Sequence, residues 1–281
     1  MVVDFHLHTT ASDGDLDPEA LVACAAGHGI RTLAITDHDT LGAYRWREGA
    51  VFAAARRLEV ELTGGIELDV ALDGHEVHLL GLGLDLEAAA LGEHLAAVRA
   101  VRHERARREI ALVRERLGER ALAVEDVFVP ERDSLMRPHL IRPLVARGLF
   151  ATYQDGRDWF HAHARAGVSV PKPAMDAAIG MIHAAGGRAV LAHPGYYWKD
   201  GFPILDELGA LRALGLDGVE LDYPYASSSP GMFASGEAQH FVSALRAAGE
   251  GLGLAFTRGS DAHGPADFDR VYGPVPGGEE S

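Results

Sequence analysis

Apolar positions along the chain switch repeatedly between the two-residue period of strands and the longer period of helices. Short apolar or β-branched runs at 2–6 (VVDFH) and 32–36 (TLAIT) read as strands that end in polar residues. Between them Asp17-Pro18-Glu19 opens a helix, with Asp as N-cap and Pro at the first position, and the helix closes on Gly29. A single helix is expected over 40–58, followed by two strands within 60–82 around an Asp73-Gly74 turn. Residues 93–117 read as an Arg-rich helix, and 121–172 as short helices and loops. The alternation then resumes: helix 174–186, buried strand 188–193 (RAVLAH), helix 203–214, strand 217–222 (DGVELD), helix 237–249 and strand 253–257.

Strands alternating with helices imply an α/β protein with a parallel sheet. The length of 281 residues allows one barrel-sized domain or two ordinary ones. The pattern predicts a closed, irregular barrel made of residues 1–92 and 173–281, interrupted by a mainly helical insertion at 93–172. In such barrels the chemistry sits at the C-terminal ends of the strands.

Composition excludes several classes. A lone cysteine, Cys24, rules out a disulfide framework and Cys-rich zinc modules. No apolar run approaches the roughly 18 residues of a membrane span. The start MVVDFHLH lacks the basic-then-apolar pattern of a signal peptide, so a cytoplasmic protein with no membrane partner is expected. Charge is uneven: between Arg99 and Lys172, fourteen Arg and one Lys face ten acids, a net of +5 on a remainder of −20. An acidic body disfavours duplex DNA. The basic segment is either a solvated Arg-rich helix or a local anion site.

The strand ends carry the candidate chemistry. Strand one ends in His6-Leu7-His8, followed by Asp13, and strand two in Thr36-Asp37-His38-Asp39. The hairpin carries Glu67 after Gly65-Ile66, with His78 on the return strand. Later strands end in His193-Pro194 and in Gly259-Ser260-Asp261-Ala262-His263. Side chains at i and i+2 of a strand share a face, so His6 with His8, and Asp261 with His263, can each reach one ion. Nine nitrogen and oxygen donors exceed what one ion takes, and suit two or three Zn, Mn or Fe ions sharing a carboxylate. His161 and His163 flank an amphipathic helix and read as non-ligands. No P-loop or GxGxxG is present.

These motifs (HxH, TDHD, GIE, AHP and SDxH) resemble those of the PHP (polymerase and histidinol phosphatase) family of amidohydrolase-like metallohydrolases. DFHLHTTASDG, ITDHDT, VHLLGL, RPH, VPK, GGRAVLAHPG and GSDAHG are similar to the branch containing 3′,5′-nucleotide bisphosphate phosphatases and a 5′→3′ oligoribonucleotide exonuclease. The resemblance implies a distorted (β/α)7 TIM-like barrel with three divalent metal ions. His6, His8, Glu67 and Asp261 would hold one ion, Asp13, His38 and His263 a second, and Glu67, His78 and His193 a third, with Glu67 bridging. A metal-bridged hydroxide held by Asp13, Glu67 and His193 would be the nucleophile. The insertion would cap the site, with Arg137, His139 and Lys172 on the substrate phosphate, although an Arg there can equally pair with one of the ten acids. The expected reaction removes the 3′-phosphate of a small nucleotide such as pAp, releasing inorganic phosphate, with action on short 5′-phosphorylated RNA beside it. The competing readings are a phosphatase of another small monoester of the histidinol phosphate kind, a non-phosphate amidohydrolase, and a non-catalytic metal-stabilised module. The last would be expected to have lost ligands, and all nine positions are filled. Two departures from the family pattern stand out: Ala262 where an aromatic is usual, and DYPYASSSPG where a His-containing loop is frequent.

Overall fold

In a computed structural model that describes residues 2–163 and 167–275, seven strands lie side by side in chain order in one sheet. They are β1 (Val2–Asp4), β2 (Ile30–Ile35), β3 (Glu61–Leu72), β4 (His75–Leu82), β5 (Arg188–Leu191), β6 (Gly218–Asp222) and β7 (Ala255–Arg258). The β1–β2–β3 and β5–β6–β7 groups are parallel, while β4 runs antiparallel to both its neighbours, so the hairpin expected around Asp73-Gly74 sits inside an otherwise parallel sheet. The cause is the two-residue turn. Asp73 (φ 47°) and Gly74 (φ 82°) are both left-handed, as a type I′ hairpin requires, so the chain returns at once instead of crossing over through a helix.

The single helix expected at 40–58 is corrected. It is three pieces, Gly42–Arg45, Trp46–Glu48 and Ala50–Arg57, because Arg47, Glu48 and Gly49 all take positive φ.

β1 and β7 share no ladder, so the named strands do not close as a barrel in the way the pattern predicted. The residues just past them do meet. Phe5 N–H donates to Arg258 O (2.9 Å), Asp261 N–H to His6 O (2.9 Å) and His8 N–H to Ala262 O (3.0 Å). Buried Asp4 ties the same seam, accepting from Ser260 N–H (3.0 Å), His6 N–H (3.1 Å) and the Tyr272 hydroxyl (2.8 Å). The HLH and SDAH motifs from opposite ends of the chain are thereby held side by side.

Helices cover the outside of the sheet. In the first, Pro18–Gly27, the Asp17 carboxylate caps the Ala20 N–H (2.8 Å) as its sequence predicts. Leu33, Ile35, Ile66, Leu68, Leu79, Leu191 and Val219 belong to the main core. A second apolar cluster, including Ile110, Val113, Leu140, Leu144 and Phe160, is drawn wholly from residues 106–160. That segment therefore buries its own apolar surface. It is joined to the sheet through the loop before Arg137, where Asp133 and Ser134 N–H groups donate to Ala11 O. The helix Ala89–Leu117 is not a simple solvated face, since Arg102 is 2% exposed. Among the described residues no helix is long and apolar enough to cross a membrane.

Candidate metal centre

The sheet register assembles the centre. Glu67 and Asp69 are two residues apart on β3 and so share a face, and Asp69 pairs directly with His78 on β4. His38, just past β2, bridges to Glu67. In the same motif Asp37 accepts from Thr9 N–H (2.7 Å), the Thr9 hydroxyl (2.6 Å) and the Ser12 hydroxyl, folding the loop that carries Asp13. Asp39 takes Arg102. His193, Asp261 and Asp39 have positive φ (29°, 55° and 50°), so three rim positions hold backbone that non-glycine residues seldom adopt.

Glu67 is the hub. Its carboxylate lies 3.2 Å from His6 Nε2, 3.3 Å from His8 Nε2, 3.2 Å from His38 Nδ1, 2.8 Å from His78 Nδ1 and 3.3 Å from His193 Nε2. Asp261 Oδ1 adds contacts to His8 Nε2 (3.0 Å) and His6 Nε2 (3.4 Å), and Asp13 Oδ1 lies 3.3 Å from His263 Nε2. Ligand atoms converge to within 4.8 Å of one another in the sets His6–His8–Glu67–Asp261, His8–Asp13–His38–His263 and His38–Glu67–His78. The first set matches the sequence expectation. The second adds His8, and the third has His38 where His193 was expected, although His193 touches the same Glu67 oxygen as His78.

The donor set fits divalent cations. His6 Nε2, His8 Nε2, His38 Nδ1, Asp13 Oδ1 and Glu67 Oε2 are buried and lack hydrogen-bond partners while facing one another. Buried acceptors left in that state are costly unless a shared cation or proton lies between them. Nitrogen and oxygen without sulfur suit Zn, Mn or Fe.

Electrostatics agree. Burial alone would raise the Glu67 pKa, but His38, His6 and His78 hold it well below the carboxylate range. Burial would lower His8 and His38, yet the carboxylates around them, Glu67 and Asp261 for His8 and Glu67 and Asp13 for His38, push both up to about 9. A histidine raised in the fold contributes stability that is complete below its unfolded pKa of about 6.5 and lost as pH climbs through the folded value. The metal-stripped protein should therefore lose thermal stability between about pH 6.5 and 9. Metal uptake near neutrality should in turn release protons. Thermal melts across that window and calorimetry in buffers of different ionisation enthalpy check both, and a flat stability profile would sink the charge assignment.

Arg137 and Lys172 line one cavity of about 400 Å³ with Arg102, Arg105, Asp69 and Glu76. Arg137 Nε is 3.6 Å from buried Glu109, so the acid pairing weighed above is partly realised, yet the Arg137 side chain keeps 42% exposure. Lys172 pairs with Glu76. His139 does not join that cavity. Its Nδ1 accepts the Met136 N–H (3.0 Å), and burial, with Arg132 nearby, drops its pKa to about 4. A neutral ring there can offer a phosphate an N–H but not a charge.

Several residues went unnoticed in the sequence. Asp69 was within reach of the i, i+2 rule that pairs it with Glu67. Arg102, whose guanidinium bonds Asp39 and Asp69 (2.8 Å to the latter), was hidden in a run of arginines. Glu220 accepts from His6 Nδ1 (3.1 Å), and the Tyr223 hydroxyl donates to Asp261 (3.0 Å) from within the departing DYPY segment.

A sequence profile of the PHP domain matches residues 4–122. The chain is 36% identical over 201 residues to the 5′-3′ exoribonuclease Rnm of Escherichia coli, covering 70% of this chain and 67% of that protein. It is 32% identical over 282 residues to the 3′,5′-nucleoside bisphosphate phosphatase of Chromobacterium violaceum, covering 96% and 90%. A solved structure from Bifidobacterium adolescentis, described as a candidate metal-dependent phosphoesterase, superposes with a TM-score of 0.76 at 27% identity, covering 94% of this chain and 88% of that one.

Proposed function

The chain belongs to the PHP family of phosphoesterases, and from that premise we propose that it removes the 3′-phosphate of 3′,5′-nucleotide bisphosphates and also trims short 5′-phosphorylated RNA. The observation that carries this reading is Glu67 enclosed by five imidazoles beside a cavity lined with cations. His6, His8, Glu67 and Asp261 hold one divalent ion in this reading, Asp13, His38 and His263 another, and Glu67, His78 and His193 a third. Bound divalent ions supply a nucleophile at neutral pH and neutralise charge on phosphoryl oxygens.

The chain's own residues account for selectivity. Asp69 is common to the rim and the cavity, so the two adjoin. Arg102 and Arg137 bring charge to the cavity, the latter with its Nε 3.6 Å from Glu109, and Arg105 and Lys172 add more. One phosphoryl group at the rim and a second in the cavity match a substrate bearing two phosphates, and Arg137 offers the second a planar fork. An amidohydrolase would need the same rim but no cationic cavity. We read the strands and the Leu7–Ala262 bridge as a distorted (β/α)7 barrel, with residues 93–172 as its cap.

Two measurements test the proposal. Elemental analysis after loading with Mn or Zn should give more than one equivalent per chain, and one or fewer would remove the multinuclear centre. Phosphate release should be fastest from 3′,5′-bisphosphates in a panel that includes monoesters, diesters and N-acyl compounds. Preferred cleavage of an N-acyl compound would overturn the phosphoesterase assignment.

A further inference from the structure

We infer that Glu220, on β6, is a positioning residue that sets two separate strand ends of the metal centre at once, through His6 Nδ1 and the His193 backbone N–H. The inference rests on the metal reading above. Glu220 is fully buried, and among the described residues its carboxylate meets no Lys or Arg. A bare buried carboxylate is costly, so its few partners must account for it.

Those partners are specific. Glu220 Oε1 lies 3.1 Å from His6 Nδ1, and Oε2 accepts the His193 N–H at 2.8 Å. With the Nδ1 proton given to Glu220, His6 carries its lone pair on Nε2, the nitrogen that faces Glu67 (3.2 Å) and Asp261 (3.4 Å). A ligating histidine whose other nitrogen donates to a carboxylate is thereby fixed in tautomer and ring orientation, and made more basic. The second bond holds His193 at φ 29°, ψ 54°, a backbone conformation unfavourable for a non-glycine residue, with its Nε2 3.3 Å from Glu67.

Gly259 makes the arrangement possible. A Cβ built there would run into Glu220 Oε1 and His6 Cβ. One carboxylate thus links the ends of β1, β5 and β6 behind the rim, on the other side of the His6 ring from Glu67.

The test is Glu220→Gln, which keeps the shape and an acceptor oxygen but removes the charge. Zinc affinity is measured by competition with a chromophoric chelator, beside thermal melts of the metal-free protein. Binding through His6 and His193 should weaken by about 10- to 100-fold. Binding at Asp13, His38 and His263, which Glu220 does not touch, should be unchanged, so the isotherm splits into an intact and a weakened class. A variant that loses only thermal stability, with every zinc class at wild-type affinity, would overturn the inference and leave the metal reading standing. Zinc-loaded wild type supplies a second readout that does not depend on the variant folding. ¹⁵N NMR should show His6 ligating through Nε2 with a proton on Nδ1, and ligation through Nδ1 would be equally fatal. Wild type that takes up no zinc would instead overturn the metal reading and this inference with it.

Discussion

Glu67→Ala is expected to lower kcat/KM for phosphoester hydrolysis by more than about 10³-fold, since losing even one preorganised charge-stabilising group costs roughly 10²–10³. Glu67 is more than one such group. Its two oxygens meet all five of the imidazoles that surround it, and Oε2 alone faces His6, His8 and His38. The backbone at this position is independently secured, because Asp39 N–H donates to Glu67 O (2.8 Å) and Glu67 pairs with Leu80 in the β3–β4 ladder. The fold should therefore survive. Glu67→Gln separates charge from shape: it should lose nearly as much activity while melting close to wild type, with metal content reduced in both variants. His193→Ala should behave similarly, since its ring reaches the same Glu67 oxygen as His78. Steady-state kinetics with elemental analysis and circular dichroism check these outcomes. Near wild-type turnover in either Glu67 variant would show that it is not the bridging carboxylate.

How much of this centre is legible in the sequence depends on where each contact lies along the chain. His6 with His8 and Asp261 with His263 are readable because a strand's two-residue period is local. The Asp73-Gly74 turn is readable because only a few dipeptides tolerate two left-handed residues in succession. The break at Arg47–Glu48 is not, since nothing in Trp46-Arg47-Glu48 signals positive φ, and the left-handed Gly49 follows only afterwards. Nor is the antiparallel β4 visible as the link between two parallel groups until the pairing of β4 with β5 across a long insertion is known. Supporting residues are the least legible. Glu220 sits in an ordinary strand pattern, VELD, and acquires meaning only from His6, 214 positions earlier. Arg102 looks like its solvated neighbours Arg107 and Arg108, yet a long helix turned against the rim buries that one guanidinium between Asp39 and Asp69. His139 is a different case. Its motif resembles a phosphate contact, while in the fold it is buried beside Arg132 with its Nδ1 occupied by the Met136 N–H.

Arg137→Ala is expected to reduce kcat/KM on a 3′,5′-bisphosphate by roughly 30-fold, about 2 kcal/mol, the loss of one charge-assisted contact. On a 3′-monophosphate the same substitution should have little effect. The difference follows from geometry. The side chains proposed to bind metal lie at the strand ends and would serve any phosphoryl group presented there, whereas Arg137 lies in the adjoining cavity with Arg102, Arg105 and Lys172. Of these cations Lys172 is already paired with Glu76, and Arg102 with Asp39 and Asp69. Arg137 has only the 3.6 Å approach of Glu109 and keeps 42% of its side chain exposed, so it retains capacity for an incoming anion, as does Arg105, which has no ion pair within 4.0 Å among the described residues. Glu109 tempers the expected loss, because removing Arg137 also relieves a partly satisfied pair. Arg137→Lys should recover charge but not the planar fork, and so only part of the bisphosphate preference. Kinetics on both substrates for wild type and the two variants decide the matter. Equal losses on bisphosphate and monophosphate, or a wild type that does not prefer the bisphosphate, would exclude two anion subsites and leave a general phosphoesterase acting through the rim alone.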